Sequence, residues 1–216
     1  MPDRVRQSLA VFLAVLFTAC ASSRGSTPLS SPTGSAPGSI QSLYEAGRDA
    51  DVISQVASAG PSASAVDAWF ASQSKLRLGQ RSEALDDLMR LSAAAADLGV
   101  QVAARLAVAR LNSDSAALEQ ARGEAAAQSS NVIAQYELGL SYAAGSDFAA
   151  AAQAFDRCID IAPTFAYAYY QSALAYERVG RPDLMANRFD RFVRLAPNAP
   201  ERPQVDSVLR TVGGRP

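Results

Sequence analysis

The sequence predicts an all-α fold, an array of helix pairs stacked one on the next. Three observations carry this. Tyr142, Phe155, Ile161 and Pro163 recur as Tyr176, Phe189, Leu195 and Pro197, each 34 residues on, and a fixed period of that length marks a helical repeat. Alanine is abundant, and no clear alternating strand pattern stands out. The composition, 49% hydrophobic and 19% charged, is that of a globular chain.

The chain opens with Arg4 and Arg6, then an apolar run from Leu9 to Phe17, then Thr18, Ala19 and Cys20. A short basic segment followed by an apolar stretch of this size reads as a secretory signal. It is shorter than the roughly 20 residues a permanent spanning helix takes. The ending Leu16-Phe17-Thr18-Ala19-Cys20 resembles a bacterial lipoprotein box, with Phe17 where that family usually has Leu. The resemblance implies a signal peptide over residues 1–19 and lipidation at Cys20. Ala21 after the Cys implies the outer membrane rather than inner-membrane retention. Residues 20–39 are rich in Ser, Gly and Pro and read as a flexible tether.

Residues 40–131 carry a weaker helical pattern. Leu43–Tyr44, Gly47, Val52, Ile53 and Val56 form a first unit, closed by a turn at Gly60–Pro61. Trp69, Leu76, Gly79, Glu83, Ala84, Leu88 and Leu91 form a second, helix–Gly–helix unit. Leu98 to Leu111 and Ala116 to Gln128 form a third, joined by Asn112, Ser113 and Asp114. These are either degenerate repeats or generic Ala-rich hairpins, and both stack alike.

Residues 132–199 hold the two well-formed copies. In the first, apolar and small residues recur at helical spacing up to Gly145, which ends the helix as Gly does at a C-cap. Asp147 is placed to N-cap the next helix. That helix has the stripe Phe148, Ala151, Ala152, Phe155, Cys158 and Ile159, and Pro163 stops it. In the second copy Gly180 ends one helix, Pro182 opens the next in a first turn that tolerates proline, and Pro197 closes it. Residues 200–216 read as a capping helix with Val205, Val208, Leu209 and Val212 at helical spacing, then a frayed tail.

Leu138, Gly139, Tyr142, Ala151, Phe155, Cys158 and Pro163 resemble the tetratricopeptide repeat (TPR) family at matching positions. The second copy departs by Ser172–Ala173 in place of Leu-Gly and by Met185 in place of Ala. The resemblance implies a right-handed superhelical array of antiparallel helix pairs, a TPR-like α-solenoid. It also implies that the first helix of each repeat lines a concave protein-binding groove, with Ile133, Tyr136, Leu140, Tyr167, Tyr170, Leu174, Glu177 and Arg178 facing it. Tyr176 and Tyr169 are read instead as packing residues between repeats.

The inventory of reactive groups is poor. The chain has no histidine, which removes His-based acid–base catalysis, His metal ligation and the usual triads. Of its two cysteines, Cys158 lies on an apolar stripe and reads as a small hydrophobe. Asp156 and Asp160, and Asp86–Asp87 beside Glu83, read as solvated faces balanced by Arg157 and Arg90. Phosphate-loop and dinucleotide fingerprints are missing. A net charge of −1 argues against nucleic acid. Arg188, Arg191 and Arg194 are spaced by threes and read as an outer face. No cofactor, catalytic residue or metal is expected.

The expected function is a membrane-anchored, non-catalytic scaffold on the periplasmic face of the outer membrane. It would dock a protein segment or helix in envelope, pilus or secretion-complex assembly. The alternative is a cell-wall-associated factor that recruits or regulates an envelope enzyme.

Overall fold

A computed structural model describes residues 38–212. The expected signal peptide, Cys20, all but the last residues of the tether, and the tail after Val212 lie outside the described residues. Among the described residues the fold is all-α: eleven α-helices and one 3-10 turn. The helices are α1 (Ile40–Glu45), α2 (Asp49–Ala59), α3 (Ala65–Arg77), α4 (Arg81–Ala94), α5 (Leu98–Asn112) and α6 (Ser115–Ala127). They continue with α7 (Val132–Ala144), α8 (Phe148–Ile161), α9 (Ala166–Val179), α10 (Pro182–Leu195) and α11 (Arg202–Val212). Each helix packs on the next along the chain. None is long and apolar enough to cross a membrane.

The first helices of successive pairs begin at residues 65, 98, 132 and 166. The period seen in the last two copies therefore runs back through α3, and the upstream hairpins keep the same plan. α1 breaks the rhythm: it starts at residue 40 and has six residues. α11 occupies the place of a further first helix and has no described second helix to follow it.

Local chemistry explains the boundaries. Asp97, Asp114, Asn131 and Asp147 each accept a hydrogen bond from the backbone N–H three residues on, capping α5, α6, α7 and α8. Such caps contribute about 1 kcal/mol each. Ala162 and Ala196, each preceding a proline, leave the helical region (φ −131°, ψ 80° and φ −122°, ψ 70°), so α8 and α10 stop there. Gly180 ends α9 in the left-handed region, φ +78°. Gly145 behaves differently from expectation. Its φ is −84°, and the left-handed residue of that turn is Ser146, φ +63°. What Gly145 supplies is room, since a Cβ there would lie 3.1 Å from Nη2 of Arg122.

The pairs are held by close approach at small residues. A Cβ on Gly139 would sit 2.5 Å from the Phe155 ring, so α7 and α8 cross where only glycine fits. Gly99 does the same between repeats, where a Cβ would overlap Asn131 at 2.1 Å. Asn131 in turn donates to Asp97 at 3.1 Å, tying the caps of α5 and α7 together.

Candidate functional site: the concave face

Aromatic side chains of α1, α3, α7 and the start of α9 form one continuous buried cluster. Trp69 of α3 meets Phe70 at 5.1 Å and Tyr136 of α7 at 5.7 Å between ring centroids. Phe165, just before α9, packs on Phe70 at 5.9 Å and on Tyr136 at 4.9 Å. Tyr136 also reaches Phe155 of α8 at 5.7 Å. Near the N-terminal end, Tyr44 of α1 bridges Phe70 at 5.1 Å and Tyr167 of α9 at 5.2 Å. Aromatic pairs at these tilted and edge-on angles contribute beyond their burial, about 0.5–1.5 kcal/mol each.

A buried carboxylate sits inside this cluster. Glu137 is 0% exposed. Its Oε1 accepts from Trp69 Nε1 at 3.2 Å and from Gln73 Nε2 at 2.9 Å. Its Oε2 pairs with Arg110 Nη2 at 3.0 Å. One side chain of α7 thus joins α3 and α5, and the donors offset the cost of burying a charge. Sequence reading passed over Glu137. The signal that finds it is its place between Tyr136 and the Leu138–Gly139 pair, in a helix too closely packed to leave a solvated side there.

A second polar chain closes the face. The Arg77 guanidinium at the end of α3 bonds Asp49 of α2 at 2.6 Å and the Tyr44 carbonyl at 2.6 Å. It also donates to Tyr167 Oη at 2.9 Å and lies 3.7 Å over the Tyr44 ring. Tyr167 in turn donates a hydrogen bond to Glu201 Oε2 at 2.8 Å. Glu45 of α1 accepts from the Ala166 N–H at 2.9 Å, at the first turn of α9, where Phe165 supplies no side-chain cap. Gly47, at φ +71°, faces Pro200 so closely that a Cβ would meet it at 3.0 Å. The N-terminal hairpin therefore lies on the start of α9 and on the α10–α11 connection.

This geometry redistributes the eight expected groove residues. Ile133, Tyr136 and Tyr167 are buried, at 2%, 2% and 3% exposure. Tyr136 packs on Trp69 of α3 and Tyr167 on Tyr44 of α1, and Ile133 belongs to the same core. Leu140 and Leu174 are partly buried against the same core. Tyr170 is half-buried against Phe189 and Phe192, at 5.9 and 5.0 Å. Glu177 is exposed and lines a cleft of about 300 Å³ with Pro182, Met185, Val208 and Val212, between α9, α10 and α11. Arg178 is exposed, and its guanidinium stacks on Phe148 of α8 at 4.6 Å. The eight do not form one continuous wall. The exposed ones, Glu177 and Arg178, lie on α9, as does half-buried Tyr170.

Other expectations also shift. Asp156 is not simply on a solvated face: it accepts from Ser172 Oγ at 3.0 Å, from Tyr176 Oη, and from Arg188 Nη2 at 2.9 Å. Arg157 turns to Gln135 Oε1 at 2.8 Å instead of balancing the aspartates. The arginine stripe of α10 is divided, because Arg188 serves Asp156 while Arg194 pairs with Asp190 at 2.9 Å. Asp87 pairs with Arg90 and also with Lys75, at 2.7 Å from the latter. Tyr169 packs between repeats as expected, donating to the Pro163 carbonyl at 3.2 Å. Cys158 is fully buried, and burial pushes its thiol well above the ordinary 9.0, which leaves it a packing group. No cluster of three or more His, Cys, Asp or Glu side chains that would hold a metal ion occurs among the described residues.

The tetratricopeptide repeat profile matches residues 133–164, the α7–α8 pair with its closing turn. Comparison with curated proteins finds no match. Among solved structures, a mutant of MamA is similar at 19% identity, covering 77% of this chain and 93% of that one with a TM-score of 0.42. MamA MSR-1 is similar at 16% identity, covering 72% and 91% with a TM-score of 0.41. MamA AMB-1 is similar at 17% identity, covering 77% and 92% with a TM-score of 0.42. The chain is thus an all-α array of helix pairs that carries a match to the tetratricopeptide repeat at residues 133–164.

Proposed function

We propose that this protein is a membrane-anchored, non-catalytic scaffold that docks a protein segment against α9, lipidated at Cys20 and held at the periplasmic face of the outer membrane. The observation that carries the docking role is the repeat match at residues 133–164, since repeats of this kind bind protein partners. Tyr170 adds a large amphipathic side chain beside exposed Glu177 and Arg178, a combination suited to a peptide or helix. The anchor rests on the Leu16-Phe17-Thr18-Ala19-Cys20 ending and the tether after it.

Two experiments test the parts separately. A photoreactive residue at Tyr170 is expected to trap a protein partner in cells, and capture of glycan strands in its place would replace docking by the cell-wall role. The Cys20→Ala variant is expected to move into the soluble periplasmic fraction, and unchanged membrane association would overturn lipidation.

A further inference from the structure

We propose that the α1–α2 hairpin is an intramolecular cover of the concave face, seated over Tyr167 and released as a unit about the Gly60–Ser62 turn. This rests on the docking role proposed above and adds to it a closed and an open state of the same surface.

Four observations support a cover distinct from a first repeat. The hairpin is out of register: α1 starts at residue 40, well short of a full period before α3 at residue 65. Its second helix has a small apolar footing, because α2 buries Val52 alone, while α1 buries Leu43, Tyr44 and Glu45. Segments with few buried apolar groups open at lower free energy than the rest of a fold.

Its attachments resemble those of a docked ligand more than those of a neighbouring repeat. Tyr44 lays its ring against Tyr167, and the Glu45 carboxylate takes the free N–H at the start of α9, where the helix dipole favours an anion. Finally, the connection to α3 is built to bend. Gly60 has φ +52°, and Gly60, Pro61 and Ser62 are exposed. Beneath the turn, a cleft of about 510 Å³ lined by Val56, Pro61, Ala68, Leu91 and Ala95 opens between the end of α2 and the α3–α4 pair, while the rest of α2 packs on α3. Swinging the hairpin away would uncover Phe70 and Tyr167 and break the bonds of Arg77 to Asp49 and to the Tyr44 carbonyl.

Gly47 and Pro200 provide a lock. A Cβ on Gly47 would lie 3.7 Å from the Pro200 Cβ, within disulfide range. The full chain carrying Cys20→Ala, Gly47→Cys and Pro200→Cys is compared reduced and oxidised, so the strain of a side chain at this positive φ is common to both. Amide hydrogen exchange followed by mass spectrometry is read for residues 40–59 and for α7–α10, in this variant and in the native chain. In the native and reduced chains, residues 40–59 are expected to exchange at least ten-fold faster than α7–α10. Oxidation is expected to slow them ten-fold or more. Equal protection of residues 40–59 and α7–α10 in the native chain overturns the proposal even where the double variant misfolds. No slowing on oxidation of a folded variant overturns it as well. Uniform protection would leave docking on the exposed part of α9 standing. Failure of cross-linking at Tyr170 would remove docking and leave the exchange result intact.

Discussion

Glu137 shows how one residue organises the centre. A carboxylate with no exposure persists because two neutral donors and one guanidinium face it, from α3 and α5. Replacing it by Leu removes the anion and strands Arg110, whose Nε already has no partner. Breaking a buried pair from one side costs about 3–5 kcal/mol. The Glu137→Leu variant is therefore expected to lose stability on that order in urea unfolding, while Arg110→Met with Glu137→Leu recovers part of the loss. A single variant as stable as the native chain would show that the pair contributes nothing. This residue was hard to read from sequence, because a lone Glu in an amphipathic helix is usually solvated. Cys158 was legible from its place on an apolar stripe, and Gly139 from the resemblance to the repeat family.

At the scale of elements, helix ends were the most legible feature. Caps, prolines and the left-handed Gly180 act within a few residues of themselves, so local sequence contains the whole cause. Asp156 was misread for the opposite reason. Its partners lie 16, 20 and 32 residues on, at Ser172, Tyr176 and Arg188, and no local pattern joins them. It acts as a staple of α8 to α9 and α10. Hydrogen bonds to a charged group contribute about 1.5–3 kcal/mol, so Asp156→Ala is expected to destabilise by about that much. Asp160→Ala, on an exposed site of the same helix, should stay within about 0.5 kcal/mol of the native chain. Equal effects in the two variants would return Asp156 to the solvated face.

For the whole molecule, the period fixes the stacking of pairs but not how far the array winds. The contacts that close it join residues far apart in sequence: Glu45 to Ala166, Arg77 to Tyr167, Gly47 to Pro200. Tyr167, held by such contacts, was expected at a surface and lies in the core, as do Ile133 and Tyr136. Closure also has a pH signature. Burial raises the hydroxyls of Tyr44, Tyr136 and Tyr167 above their ordinary 10.0 and the Cys158 thiol above 9.0. The folded chain keeps these groups protonated while the unfolded chain ionises them. Their stabilisation is fully present below about pH 9 and is lost as pH rises further, at up to about 1.4 kcal/mol per pH unit for each group. Urea midpoints are expected to fall steeply between about pH 9 and 11, and a flat profile there would mean that the aromatic core is accessible to water.

The most direct test of a docking surface on this array is amide hydrogen exchange of the native protein, alone and with the partner trapped through Tyr170. Added protection is expected along residues 166–179, together with faster exchange of residues 40–59 as the hairpin leaves. Added protection confined to the outer helices α4, α6 and α8, with residues 40–59 unchanged, would contradict it.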